Sequence, residues 1–363
     1  MIDVLQIAMW HAPNGGLQQH VLSLMDSVRN AGLSVAIACR ETPFTSLFRE
    51  RGHRVIATEF GDEDVDRVAS EARGCKLIHA HPGRSRPFAL KVAHKLSAPL
   101  VVTIHGDYVD AIDTYHKEVS RIFAVSASVV SNLVGLGVAP DKIVYAPNYS
   151  NRNLFHPTAR RHAKSGSPCS KIRTLVGASR LNADKKPYVH HIAELADKLA
   201  ARPTLGWRLV IAGDGDLRPI LEAAFERLRR AHGQHAALLL GWVPQTKVAK
   251  WYRRADAAIV AGRSAIDALA CDLPVIVIGR EKLFGFVTPE LLAEAVDSNM
   301  ADHWFSKAEP EGGIMSEFDA CEAFLEAHAE TYSLDAYRRN FQPYECDAAV
   351  IATYRTLLAA VVG

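Results

Sequence analysis

The sequence predicts an α/β protein of two doubly wound domains, each a parallel sheet with helices on both faces. Three observations predict it. Short β-branched runs alternate with amphipathic helical stretches along the chain; its 363 residues exceed what one hydrophobic core usually serves; and a polar stretch breaks the rhythm near the middle.

Val4–Met9 reads as a first strand, and Leu17, Val21, Leu24, Met25 and Val28 as the helical stripe that follows. Further strands are predicted at 34–38, 54–58, 76–80, 99–104, 121–125 and 142–146. From His156 to Ser170 the chain holds Pro157, Arg160, Arg161, Lys164, Gly166 and Pro168 with little apolar content, the composition of a linker. The alternation restarts with strands at 172–176, 207–212, 236–240, 257–260 and 274–278. The expected organisation is a domain at 1–156, a linker at 157–170 and a second domain at 171–342. A final helix within 343–363 has apolar positions that permit it to cross back to the first domain.

Composition narrows the partners. With 48% hydrophobic and 23% charged residues and a net charge of +2, nothing points to nucleic acid. The six cysteines stand singly, with no C-x-x-C pair, which argues for neither a zinc site nor a disulfide framework and fits a reducing compartment. No signal-peptide pattern and no membrane-length apolar run is present, so a cytoplasmic location is expected. The Arg84-Ser85-Arg86…Lys91…Lys95 stretch reads either as a solvated face or as peripheral contact with the inner face of a membrane.

In open parallel sheets ligands bind at the C-terminal ends of the strands, so the loops there carry the candidate chemistry. Asn14-Gly15-Gly16 opens into a helix and suits either close backbone approach to a phosphate or sugar, or a simple turn and cap. His105 follows a strand directly and suits a bond to a sugar hydroxyl or phosphate, or proton transfer. His79 and His81 look like a metal pair but lack a third ligand at a suitable spacing. In the second domain Arg180 and Lys185 leave one strand end together, as a departing diphosphate requires, with Lys186 beside them. Asp214-Gly215-Asp216 is read as a strand-end turn in which Asp216 caps the next helix, and Glu63-Asp64-Val65-Asp66 as a solvated face. Gly262-Arg263-Ser264 starts a helix after a strand, with Asp267 one turn in, either to receive a ribose or to complement the helix dipole.

These motifs together resemble glycosyltransferase family 4, the retaining transferases of GT-B fold. Gly15-Gly16-Leu17-Gln18-Gln19-His20-Val21 resembles the family's GG-x-E-x-x-v opening, and Ser179-Arg180-Leu181-x-x-x-Lys185 its G-R-L-x-x-x-K loop. Pro147-Asn148-Tyr149-Ser150-Asn151 is similar to P-N-G-V-D, Gly213-Asp214-Gly215 to G-x-G, and Ala270-Cys271-Asp272-Leu273-Pro274-Val275 to A-x-G-x-P-V. The resemblance implies two Rossmann-like domains facing a central cleft, with the donor in the C-terminal domain and the acceptor in the N-terminal one. It implies sugar transfer from a nucleotide-diphosphate sugar, a UDP-sugar ahead of a GDP-sugar, to a hydroxyl-bearing acceptor in surface glycan or glycoconjugate synthesis. Anomeric retention and no metal cofactor are implied as well. His105, Arg180 and Lys185 become the catalytic set; Gly15, Gly16, Asn148, Gly213, Gly215, Gly262, Arg263, Ser264 and Asp267 become the donor-binding set. The sequence departs from the family's Glu-x7-Glu motif: the second glutamate falls on Asp267 and the first on Ile259, inside a strand. A nucleotide-sugar epimerase, which needs carboxylates for proton abstraction, and a non-catalytic nucleotide-sugar binder are the competing readings.

Overall fold

The computed structural model describes residues 2–10, 15–81, 83, 85–106, 111–158, 172–300, 308–327 and 343–362. The chain divides into two compact units, Met1–Asn148 with Tyr344–Gly363, and Tyr149–Pro343.

The first unit contains β1 (Val4–Ala8), α1 (Gly16–Asn30), β2 (Val35–Cys39), α2 (Thr45–Glu50), β3 (Arg54–Ala57), α3 (Asp62–Glu71) and β4 (Leu77–Ala80). There follow α4 (Ser85–Leu96), β5 (Leu100–Ile104), α5 (Ile112–Tyr115), β6 (Arg121–Ala124), α6 (Ala127–Gly135) and β7 (Ile143–Tyr145). The strands pair in parallel in the order β3-β2-β1-β4-β5-β6-β7. The order reverses between β1 and β4, which is where a doubly wound sheet opens a crevice for ligands. Side chains in β1 alternate between the sheet's faces. Leu5 and Ile7 join the core under α3 and α4, while Val4 and Ala8 point to the opposite face, which α1 helps to cover.

The second unit contains β8 (Arg173–Ala178), α7 (Lys186–Ala200), β9 (Trp207–Ala212), α8 (Arg218–His232), β10 (Ala237–Leu239) and α9 (Gln245–Tyr252). It continues through β11 (Ala257–Val260), α10 (Arg263–Leu269), β12 (Val275–Ile278), β13 (Leu283–Phe286), α11 (Leu292–Asp297) and α12 (Gly313–Ala327). The sheet order is β10-β9-β8-β11-β12-β13, parallel except for the β12–β13 hairpin. Helices α7, α8 and α12 pack on one face and α9, α10 and α11 on the other. The hairpin strand β13 was not expected; its Leu-Phe-Gly-Phe run is too short for an alternation to show, and pairing with β12 defines it.

The units meet in sequence at Asn148/Tyr149, ahead of the expected break after 156. Phe155 explains the difference: it is 1% exposed and packs against Tyr252 in the second unit's core. Most of the expected linker, 159–170, lies outside the described residues. The C-terminal helix α13 (Pro343–Val362) belongs to the first unit from Tyr344 onward. Val350, Tyr354 and Leu358, one helical turn apart, pack on Val4, Leu77, Val101 and Phe123. Among the described residues no helix is long and apolar enough to cross a membrane. Cys39, Cys75, Cys271 and Cys321 are buried free thiols, and burial pushes Cys39 and Cys321 up to about 12 and Cys75 to about 11, which leaves them unreactive. Cys169 lies outside the described residues.

Candidate functional site

In the second unit the loop from Ser179 to Lys185 follows β8 at the point where the strand order reverses. It is held by the loop after β9 through Ser179 N–H to Ala212 O (3.1 Å), Leu181 N–H to Asp214 O (2.9 Å) and Leu217 N–H to Leu181 O (2.8 Å). Gly213 and Gly215 make this approach possible. A Cβ on Gly213 would lie 1.8 Å from the Ser179 carbonyl oxygen, and one on Gly215 would lie 2.6 Å from that of Leu181. The glycines are therefore the seat of the cationic loop. Arg180 Nη2 donates to Asp184 Oδ2 at 2.8 Å in a half-exposed pair, a weak contact that a ligand can replace. Lys185 is half-buried in a tight turn over Ala183–Lys185, whereas Lys186 is exposed at the start of α7.

Beside it, β11 leads through Gly262 (φ 52°) into α10. Ser264 Oγ donates to Ala178 O at 2.9 Å, fastening α10 to the end of β8, so its hydroxyl proton is used within the protein. Nε, Nη1 and Nη2 of Arg263 are all buried, and among the described residues none receives or makes a hydrogen bond. The guanidinium lies 5.9 Å from the Tyr149 ring centroid. Asp267, one turn on, is 7% exposed and accepts from Ser150 Oγ at 2.7 Å. Burial pushes its carboxyl up to about 6, against the opposing pull of the Arg263 charge and the Ser150 hydroxyl. With none of its donors used among the described residues, the guanidinium offers a fork of donors that an anion fits. Helix α10 has only seven residues, so its dipole contributes less than the sequence reading supposed. Ile259, where the family's first glutamate would fall, is buried in β11 with its carbonyl accepting from Tyr188 Oη at 3.1 Å.

In the first unit α1 begins at Gly16 directly after Gly15, as expected, while Asn14 lies outside the described residues. His81 and His105 follow β4 and β5, and His20 projects from α1 with its ring centroid 4.7 Å from that of His105. His81 Nδ1 and His105 Nε2 are 3.1 Å apart. Burial lowers all three of His79, His81 and His105, His81 to about 3, and charges nearby (Arg86 beside His81 and His105) add to the effect. The neutral form of these rings is favoured, and a neutral His105 can still donate or accept one hydrogen bond at each ring nitrogen. His79 is not half of a metal pair, since Tyr354 Oη and Thr103 Oγ1 occupy its two nitrogens. Ligand atoms of His20, His81 and His105 lie within 4.8 Å of one another, but a metal would have to displace the hydrogen bond between His81 and His105. Asn148 is buried at the end of the unit with its N–H on Val125 O.

Other expectations changed. Asp216 does not cap α8, whose start has no side-chain cap; Asp214 accepts instead from Gly215 N–H and Arg218 Nη1, both at 2.9 Å. The basic face of α4 is not one: Arg86 is 1% exposed, and Lys91 and Lys95 pair with Asp62 and Asp66 of α3. Arg84 lies outside the described residues. Residues the sequence reading missed are Gln6, His20, Arg86 and Tyr354. Gln6 had left a signal, a single amide in the middle of an otherwise apolar strand.

Residues 14–149 match the family described as Glycosyltransferase Family 4, and residues 172–302 match Glycosyl transferases group 1. The chain thus carries a Glycosyltransferase Family 4 domain followed by a Glycosyl transferases group 1 domain. A D-inositol 3-phosphate glycosyltransferase of Thermobispora bispora is 28% identical over 225 residues, 57% of this chain and 50% of that protein. The chain spans about half the length of the curated relatives it matches. A glycosyltransferase from Rickettsia africae has a TM-score of 0.72 at 17% identity, covering 98% of each chain. Anabaena HepE, solved in complex with UDP and glucose, has a TM-score of 0.69 at 15% identity, covering 97% of this chain and 99% of its own. At these identities the likeness is one of fold, and the family's fold class is GT-B.

Two outcomes follow from the geometry. Gly213→Ala forces a Cβ onto a backbone oxygen, so urea denaturation should show a loss of about 1–3 kcal/mol or more; an unchanged midpoint would contradict the bracing role. Asp267 has a folded pKa raised above its ordinary 3.8 to about 6, so its contribution is greatest at low pH and declines as pH rises through about 6. Asp267→Asn should therefore gain stability relative to wild type as pH rises from about 4 to about 6 and then level off, by at most about 3 kcal/mol in all. A stability difference independent of pH would refute it.

Proposed function

We propose that the chain is a retaining, metal-independent glycosyltransferase that takes its sugar from a nucleotide-diphosphate donor, a UDP-sugar ahead of a GDP-sugar. The observation that carries this reading is the buried Arg263 guanidinium without hydrogen bonds among the described residues. It follows β11, and Arg180 and Lys185 follow the neighbouring β8, so three cations stand at the ends of the two strands that flank the order reversal. As the bond between the sugar and the phosphate oxygen breaks, negative charge grows on the diphosphate, and preorganised cations in a dry site stabilise that charge most. Asp267 holds Ser150 with one oxygen, and its other oxygen is the acceptor we assign to the ribose. His105, being neutral, serves as a hydrogen-bond partner for a substrate hydroxyl. The acceptor is a hydroxyl compound of the surface-glycan or glycoconjugate class, and the name of the Thermobispora relative puts inositol phosphates among those to try.

Incubation with UDP-, GDP-, dTDP- and ADP-sugars, with and without acceptors, tests the reading through nucleoside diphosphate release. Isomerised sugar would indicate an epimerase, and binding without turnover a sensor; either would replace the proposal. Arg180→Ala/Lys185→Ala should lower kcat by about 10²–10³-fold with the fold intact. Arg263→Ala should weaken nucleoside diphosphate binding by roughly 10–100-fold, the loss of a charged hydrogen-bonding contact. Near-normal rates in the double variant would place the diphosphate elsewhere. Asp267→Asn should weaken UDP more than 2′-deoxy-UDP, and equal losses would remove the ribose role. Turnover should survive excess EDTA; loss on chelation with recovery in magnesium or manganese would overturn the metal-independent mechanism.

A further inference from the structure

A chain of hydrogen bonds crosses the buried face of the first unit's sheet and ends at His105. Gln6 is 0% exposed in β1, with its amide on the α13 side. Its Nε2 donates to Tyr354 Oη at 3.1 Å, and its Oε1 faces His81 Nε2 at 2.8 Å. Tyr354 Oη also meets His79 Nδ1, and His79 Nε2 meets Thr103 Oγ1 at 2.7 Å. Each atom in the series has one neighbour on each side, so a single choice of proton position propagates through all of it.

An amide oxygen only accepts. His81 must therefore carry its proton on Nε2, which leaves Nδ1 bare to accept from His105 Nε2–H. On the other side, Tyr354 accepts from Gln6 and so spends its own proton on His79 Nδ1, which puts the His79 proton on Nε2 and makes it the donor to Thr103. All three rings are then Nε2–H tautomers, the form a neutral imidazole side chain prefers in water. Turning the Gln6 amide over would reverse every bond and require the less favoured Nδ1–H form three times over. Burial, which lowers all three rings, keeps a second proton from entering and breaking the order.

We infer that Gln6 and Tyr354 are positioning residues that fix His105 as the Nε2–H tautomer, so that Nδ1 presents a lone pair to a substrate hydroxyl. Among the described residues no hydrogen bond reaches His105 Nδ1, which leaves it for a ligand. The C-terminal helix thereby takes part in the site through Tyr354, although it supplies no group that touches substrate. The substrate role of Nδ1 rests on the transferase reading; the tautomers do not.

Long-range ¹H–¹⁵N correlation on histidine-labelled protein without ligand reads the tautomers directly. The expected result is a proton on Nε2 of His79, His81 and His105. A proton on His105 Nδ1 would overturn the inference. Tyr354→Phe keeps the ring's packing and removes only the oxygen; His81 and His105 should then populate both tautomers. Under the transferase reading kcat should fall several-fold to tenfold, with nucleoside diphosphate affinity unchanged because the cations are untouched. An unaltered tautomer pattern in Tyr354→Phe would show that Tyr354 has no positioning role, and a variant that fails to fold leaves the wild-type spectrum to decide the direction of the chain. Expected tautomers without turnover of any nucleotide sugar would sink the transferase reading and leave the hydrogen-bond assignment standing.

Discussion

Both sheets are covered by helices on their two faces, and that constraint governs everything else in the molecule. A strand closed on both sides has no water to satisfy a polar side chain, so each one must complete its bonds inside the protein or sit at a strand end. Gln6 takes the first course, linking β1 to α13 and β4 through Tyr354 and His81. Arg180, Arg263 and His105 take the second, each placed just after a strand. The two courses meet at His81, where a network built to satisfy a buried amide also orients a ring at the sheet's open end.

The parallel sheets were legible because their strands are short apolar runs separated by helical stripes, and the candidate loops were legible because ligand chemistry in this architecture is confined to strand ends. What escaped was set by contacts between distant residues. Gln6 and Tyr354 are separated by 348 positions, and no local pattern links an amide in the first strand to a phenol in the last helix. Arg86 sits in what reads as a basic surface, yet the helix turns it inward and leaves the lysines to the acids of α3. Phe155 lies in a polar neighbourhood that looks like linker, and only its packing on Tyr252 assigns it to the second unit. The Gly213-Asp214-Gly215 motif was recognised as important, but its reason lies in the Ser179 and Leu181 carbonyls that press against it.

The departure from the family's paired glutamates has an electrostatic consequence. A glutamate at position 259 would point a carboxylate from the strand that leads to Arg263; here that position is a buried isoleucine, and the remaining carboxylate, Asp267, is lifted to about 6 by burial. The end of β11 is thus richer in positive charge than a two-glutamate version would be. Within the first unit, the buried chain from Thr103 to His105 holds, on the inference above, an acceptor that carries no charge.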